Sequence, residues 1–175
     1  PPNGWTTAYT HEHLPWRGVS KDTMTFYDAK TKVGEDGKPI SLAFRYPNGN
    51  FKTRLIDRKG FFTEKGKSCE GLFGIDKFAS GGYNCVTITE GELDALSYYQ
   101  VLRTPVVSVQ SAATAGRDCA NARSWLNGFD RIYVAFDNDS AGLEAIRAVV
   151  KLFDYGKVYV VKFSNRKDAN EYLSA

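Results

Sequence analysis

Four short apolar runs punctuate the second half of the chain: VTIT (86–89), VVSV (106–109), IYVAF (132–136) and VYVVKF (158–163). Runs this short, rich in β-branched residues and separated by longer helical stretches, read as strands joined by crossover helices. Ala95, Leu96, Tyr99 and Leu102 fall on one helical face, as do Leu143, Ile146, Val149, Val150 and Phe153. The stretch around 118–126 is less regular. Strand–helix alternation requires right-handed βαβ units, hence an α/β fold with a parallel sheet and helices on both faces. Gly81-Gly82 marks the turn at which this pattern begins, so 81–175 is expected to form one unit.

A parallel sheet delivers all its strand ends to one edge, where ligands of open α/β sheets bind. Glu90 follows the first run, Asp137 and Asp139 (in FDNDSAG) follow the third, and Asp168 (in RKDANEYL) comes shortly after the fourth. Unpaired carboxylates gathered there would repel one another and raise their pKa values. A hard divalent cation such as Mg²⁺ removes the conflict. Asp-x-Asp at a strand end can hold two ions about 3.5–4 Å apart, the arrangement used for in-line phosphoryl displacement. The competing reading makes Asp137 and Asp139 capping acids of the next helix. Glu92 and Asp94 are read as acids favoured by the first turn of the helix after Glu90.

The first half has a different character. Residues 1–80 carry 13 Lys/Arg against 9 Asp/Glu, whereas residues 81–175 carry 10 against 11. A basic half before an acid-bearing half suggests a polyanion held by one and processed by the other. In ISLAFRYPNGNFKTRLID (40–57), Asn48-Gly49 signals a hairpin. With those two at the turn centre, Tyr46 would face Phe51, Arg45 would face Lys52 and Ala43 would face Arg54. Leu42 and Phe44 would then share a face with Thr53 and Leu55, and the other face would gather Arg45, Lys52 and Arg54. Like charges directly opposite are destabilising, so that face either holds an anion or is a solvated edge. Arg58, Lys59, Lys65 and Lys67 continue the basic stretch. KVGEDGKPI (32–40) supplies a preceding turn, so residues 1–80 are expected to form a small basic antiparallel α+β subdomain.

A chain of 175 residues, 42% hydrophobic, suits one globular domain or two small ones sharing a core. No apolar run approaches the ~20 residues of a membrane span, and no secretory leader opens the chain. An intracellular protein with no membrane partner is expected, and a start at Pro1-Pro2 without Met suggests a fragment. Cys69, Cys85 and Cys119 are scattered without a CxxC pair, as reduced thiols would be, which argues against a zinc ribbon or disulfide frame. His11 and His13, flanking Glu12, offer too few ligands for a metal cage. Gly66-Lys67-Ser68 is not a P-loop, because Phe61 stands where the first Gly belongs.

ITEGELDALSYYQ (88–100), VAFDNDSAGLEA (134–145) and KDANEYL (167–173) resemble the Toprim domain. With CEGLFGIDKF (69–78) and TPVVSVQSAATA (104–115) they resemble, more narrowly, the primase half of phage primase–helicases and their mitochondrial relative Twinkle. WRGVSKDTMTFYDAKT (16–31) and FRYPNGNFKTR (44–54) fit that family's basic subdomain, so the resemblance spans nearly the whole chain. It implies a Toprim-like parallel sheet and a DNA primase catalytic core. Such a core synthesises short RNA primers on single-stranded DNA from ribonucleoside triphosphates, by two-metal nucleotidyl transfer with Mg²⁺ or Mn²⁺. The resemblance makes Glu90, Asp137 and Asp139 the catalytic carboxylates and Glu90, Asp137, Asp139 and Asp168 the metal ligands. Lys52, with Arg58 or Lys59, would contact nucleotide or template phosphates, and Arg45, Arg54, Lys65 and Lys67 complete the candidate basic set.

Two alternatives stay open: a Toprim-type metal-dependent nuclease, and a non-catalytic DNA-binding arm of a replicative helicase. The family's template-reading zinc module and its helicase have no counterpart in this sequence. No zinc is therefore expected, and both modules are expected as partners in a longer protein or in separate chains. The implied setting is the cytoplasm of a phage-infected bacterium, or a mitochondrial nucleoid for a Twinkle relative.

Overall fold

A computed structural model describes residues 13–164 and 168–174. A short helix, α1 (Lys21–Phe26), precedes an antiparallel meander of β1 (Ala29–Val33), β2 (Pro39–Arg45), β3 (Phe51–Leu55) and β4 (Phe61–Thr63), in that spatial order. The basic α+β subdomain expected from the sequence takes this form. After the turn at Gly81 come β5 (Cys85–Thr89), β6 (Val106–Ser108), β7 (Arg131–Ala135) and β8 (Val158–Val160). These pair in parallel in the order β6-β5-β7-β8, connected by α2 (Glu92–Leu102), α3 (Ala115–Asn121), α4 (Arg123–Leu126) and α5 (Ser140–Val150). A last short helix, α6 (Ala169–Leu173), packs on α2.

Alternate strand residues face opposite sides, and the parallel sheet is covered on both. Val86, Ile88, Val107, Ile132 and Val134 pack with Cys119 of α3, Leu126 of α4 and Ala145 and Val149 of α5. Val106 packs with Leu93, Ala95 and Leu96 of α2. The buried face of α5 is Gly142, Ala145 and Val149, while Leu143 and Val150 are exposed, so it is turned away from the face expected from the large apolar residues. Small residues face the sheet there, allowing the helix backbone to approach closely. Leu102 at the end of α2 is likewise exposed.

The β2–β3 hairpin differs from the expected register by one residue. Tyr46 N–H donates to Asn50 O and Gly49 N–H to Tyr46 O, both at 2.9 Å, with Gly49 at φ 84°. The loop is therefore Pro47-Asn48-Gly49, a turn closed by a left-handed glycine. Proline's fixed φ suits the first central position of such a turn, whereas a two-residue turn centred on Asn48-Gly49 would need residue 47 to donate a backbone N–H to Asn50 O, a group proline lacks. Phe44 pairs with Lys52, Leu42 with Arg54 and Arg45 with Phe51. Because one residue of slip moves a side chain to the other face, Lys52 and Arg54 share the Leu42/Phe44 face and Arg45 points the opposite way.

That shared face joins the two sheets. Leu42, Phe44 and Tyr46 lie in one apolar cluster with Phe73, Val106 and residues of α2, and Tyr27 donates its hydroxyl to Val106 O at 2.7 Å. Phe26 stacks on Tyr99 with ring centroids 4.4 Å apart. The three cysteines are free, and burial pushes the thiols of Cys69 and Cys119 up to about 11 and about 12, which leaves them protonated and inert. Among the described residues no helix is long and apolar enough to cross a membrane.

Candidate active site

Asp94 of α2, Asp137 after β7 and Asp168 before α6 each bring one carboxylate oxygen within 4.8 Å of the others. All three sit where the strands of the parallel sheet end. Glu90 joins them from the end of β5, its Oε1 accepting from Asp137 N–H at 3.4 Å. Burial, with Asp137 beside it and Asp139 further out, pushes Glu90 up to about 7. Burial and the adjacent Asp168 push Asp94 up to about 8, against the lowering effect of a 3.0 Å hydrogen bond from Asn170 N–H. Carboxylates crowded in this way destabilise one another when all are ionised, and a divalent cation relieves that repulsion. The donor set is all oxygen, drawn from separate elements and partly open to solvent, which fits a hard divalent cation.

The loop after β7 shows why Asp-x-Asp is followed by Ser-Ala-Gly. Asp139 caps α5, its Oδ1 accepting from Gly142 N–H at 2.8 Å. A Cβ on residue 142 would overlap Asp137 O, so only glycine lets α5 start this close to the strand end. Asp139 itself is exposed, at the rim of the cluster. Asp168 in turn caps α6, accepting from Glu171 N–H at 3.0 Å. Capping accounts for one oxygen on each of these two residues.

Asp94 is the site residue that sequence reading missed. First-turn acids are common at any helix start, and that generality hid Asp94, which stands in the first turn of α2 just after the strand end that carries Glu90. Asn170 holds it in place. Buried under α2, Asn170 donates its side-chain N–H groups to Ser97 Oγ at 3.0 Å and Arg17 O at 3.2 Å.

A cleft of about 1550 Å³ separates the acids from a basic wall built by β3, β4 and the loop between them. Lys52 Nζ reaches Glu92 Oε1 at 2.7 Å and Gln110 O at 2.6 Å, and Tyr46 donates its hydroxyl to Glu92 Oε1 at 2.6 Å. Glu92 is thus a buried partner for Lys52, a role beyond that of an acid at a helix start. Arg54 lies 5.1 Å from the Trp16 ring centroid and 5.8 Å from that of Phe61. Burial and neighbouring Arg17 lower its pKa, while Glu92, Asp94 and Asp168 oppose that shift. Arg58 and Lys59 are exposed and line the cleft.

Three predicted basic residues stand outside the cleft lining. Arg45 is on the far face of its sheet, near Asp76 at 3.6 Å and Asp28 at 4.0 Å. Lys67 pairs with Glu64 at 2.6 Å, and Lys65 is exposed beside it. His13 hydrogen-bonds Ala29 O at 2.7 Å, whereas His11 and Glu12 lie outside the described residues.

The Toprim-like family matches residues 87–173, the stretch that carries every acid of the site. The DNA helicase/primase of Enterobacteria phage T3 is 32% identical over 170 residues, covering 92% of this chain and 29% of that protein. The crystal structure of the primase fragment of the bacteriophage T7 primase–helicase aligns at 29% identity with a TM-score of 0.77, covering 98% of this chain and 77% of that one. A T7 structure of the lagging-strand DNA polymerase interacting with primase domains bound to an RNA/DNA hybrid and dTTP aligns at 30% identity and a TM-score of 0.77, covering 98% of this chain and 90% of the matched chain. This chain belongs to the Toprim-containing primase family of the phage primase–helicases. The zinc-binding and RNA polymerase domains of Aquifex aeolicus primase share its fold at 18% identity and a TM-score of 0.65, over 90% of this chain and 50% of that one. The alignments with the phage primases run through both sheets, so the basic meander is part of the family's fold as much as the Toprim sheet. The chain spans 29% of the length of its T3 relative.

Proposed function

We propose that this chain is a DNA primase core that synthesises short RNA primers on single-stranded DNA from ribonucleoside triphosphates. The observation that carries the proposal is the cleft, with clustered carboxylates on one wall and Lys52, Arg54, Arg58 and Lys59 on the other. Residues 1–80 hold template and triphosphate, and residues 81–175 supply the reacting edge.

Glu90, Asp94, Asp137 and Asp168 hold Mg²⁺ or Mn²⁺, with the outer oxygen of Asp139 at the rim. Cations held there would supply positive charge to both oxygens of an in-line displacement, in which a 3′-hydroxyl attacks the α-phosphate of the next nucleotide and pyrophosphate leaves. Lys52, fixed by Glu92 and Gln110, has one remaining N–H to give to a phosphate oxygen. Arg54 adds a positive charge within electrostatic reach of Asp94 and Asp168. Arg58 and Lys59 neutralise the backbone of the template strand. The phage relatives place such a core beside a helicase, and the Aquifex primase beside a zinc-binding domain. Modules of both kinds are the expected partners, acting during phage replication in the bacterial cytoplasm.

The test is incubation with single-stranded DNA, labelled ribonucleotides and Mg²⁺ or Mn²⁺. Short labelled products that require metal and template, and that vanish in Asp137→Asn, support the assignment. Cutting of end-labelled DNA without nucleotides would make water the nucleophile and the chain a nuclease. Binding without either activity would reduce it to a DNA-binding arm.

A further inference from the structure

We infer that Phe61, on edge strand β4, is a stacking platform for an unpaired base of the single strand that runs through the cleft. The inference rests on the primase reading above and gives its template path a physical contact.

The meander presents one continuous face with two fates. Where β1 and β2 lie over the parallel sheet, that face carries Ala29, Leu42 and Phe44, all fully buried. Where β3 and β4 pass beyond the apolar core, the same face carries Lys52, Arg54 and, paired with Arg54, Phe61. Phe61 therefore overhangs the cleft with the cations, yet 55% of it is exposed. Lys52 Nζ lies 4.8 Å and Arg54 5.8 Å from its ring centroid, and beyond Arg54 stand Trp16 and Arg17. The result is a row of aromatic rings and cations along one wall of the cleft.

An open aromatic ring on an edge strand is a liability unless something covers it. The occupant must tolerate Lys52 and Arg54 against the ring and Arg58 and Lys59 at the preceding turn. An apolar protein surface would desolvate those charges at a cost. A single-stranded nucleic acid meets both demands, because its phosphates neutralise the cations and every base offers a flat π face to the ring. Such stacking is indifferent to base identity, as a strand sliding past the acidic edge requires. Phe62, the next residue, pairs with Thr53 instead of Arg54 and is also exposed along the cleft, without a cation against its ring among the described residues, so it tests whether the position of Phe61 matters.

The experiment measures fluorescence anisotropy of the full chain with a short thymidine oligonucleotide and with an abasic strand of equal phosphate number. Phe61→Ala is expected to weaken binding of the thymidine strand about 5- to 150-fold, the equivalent of ~1–3 kcal/mol. Binding of the abasic strand and the salt slope should stay at wild-type values, since no phosphate contact is removed. Phe61→Trp should restore affinity, and Phe62→Ala, which leaves the ring against Lys52 and Arg54 in place, should weaken the thymidine strand less than Phe61→Ala does. Equal weakening for both strands, or none for either, overturns the platform while leaving nucleic-acid binding intact. Failure of the wild type to bind either strand would overturn the primase reading and this proposal together.

Discussion

Lys52 of β3 and Glu92 of α2 meet at 2.7 Å across the seam between the two sheets, with only 2% of Glu92 exposed. Tyr46 gives the same carboxylate oxygen a second hydrogen bond. Removing one member strands a buried charge, a change that costs about 3–5 kcal/mol in comparable settings. Lys52→Ala and Glu92→Gln are therefore each expected to lower stability by roughly 3 kcal/mol, at the low end because Gln keeps the Tyr46 contact and Ala leaves Glu92 with that tyrosine. Equilibrium unfolding in urea gives the answer. This reverses what the sequence suggested, namely that losing Lys52 would relieve repulsion from Arg45 and that Glu92 contributed only the ~0.3–1 kcal/mol of a helix-start acid. Midpoints unchanged in both variants would mean the pair is no stronger than a solvated one.

The acids divide by what each carboxylate already holds. Asp94→Asn and Asp137→Asn are expected to abolish divalent-cation binding and primer synthesis. Both should raise the melting temperature of the metal-free protein by removing like charge. Asp139→Asn keeps the helix cap, since Asn and Asp cap equally well, and should weaken rather than abolish binding. Calorimetric titration with Mg²⁺ and Mn²⁺ separates the cases. Loss in Asp139→Asn as complete as in Asp137→Asn would move Asp139 from the rim into the coordinating set.

The α/β half was legible because four short β-branched runs leave few ways to fold, and their order fixes which acids share an edge. Glu90, Asp137 and Asp168 followed from that alone. Asp94 did not, since a general preference for acids at helix starts explains it equally well until α2 is seen to turn it inward. The hairpin misled through Asn48-Gly49, a strong turn signal whose geometry Pro47 overrides. One residue of slip then sent Arg45 to the far face and Lys52 to the cleft. Glu92 illustrates the remaining gap: a buried partner contributed by another sheet leaves no local pattern.

Proton binding gives a pH signature with a definite sign. Glu90 near 7 and Asp94 near 8 sit above the ordinary carboxylate range, so the folded state holds these protons more tightly than the unfolded chain. The stability they contribute is complete below about pH 4 and is lost as pH rises through the folded values. The melting temperature of metal-free protein should accordingly fall from about pH 4 to about pH 8 and level off above that. Cation affinity should rise over the same window, because binding displaces those protons, and saturating Mg²⁺ should flatten the fall. A metal-free melting temperature that climbs toward pH 8 would contradict the crowding of the four acids.

Arg58 and Lys59 test the basic wall without touching the seam. Both are exposed, both line the cleft, and neither takes part in an ion pair among the described residues. Their joint replacement by Ala should leave the melting temperature nearly unchanged, as surface substitutions away from structural contacts usually do. If each meets one phosphate of single-stranded DNA, the slope of log K against log salt should flatten by about 1.4, at ~0.7 per phosphate. Affinity should fall alike for all sequences, because phosphate contacts carry no base information. Lys65→Ala with Lys67→Ala is the comparison, two exposed charges outside the cleft lining, Lys67 being already paired with Glu64, and should change the slope less. Titrations of a labelled oligonucleotide at several salt concentrations measure all of this. If the outer pair flattened the slope and the cleft pair did not, the strand would have to run over the turn after β4 instead of through the cleft.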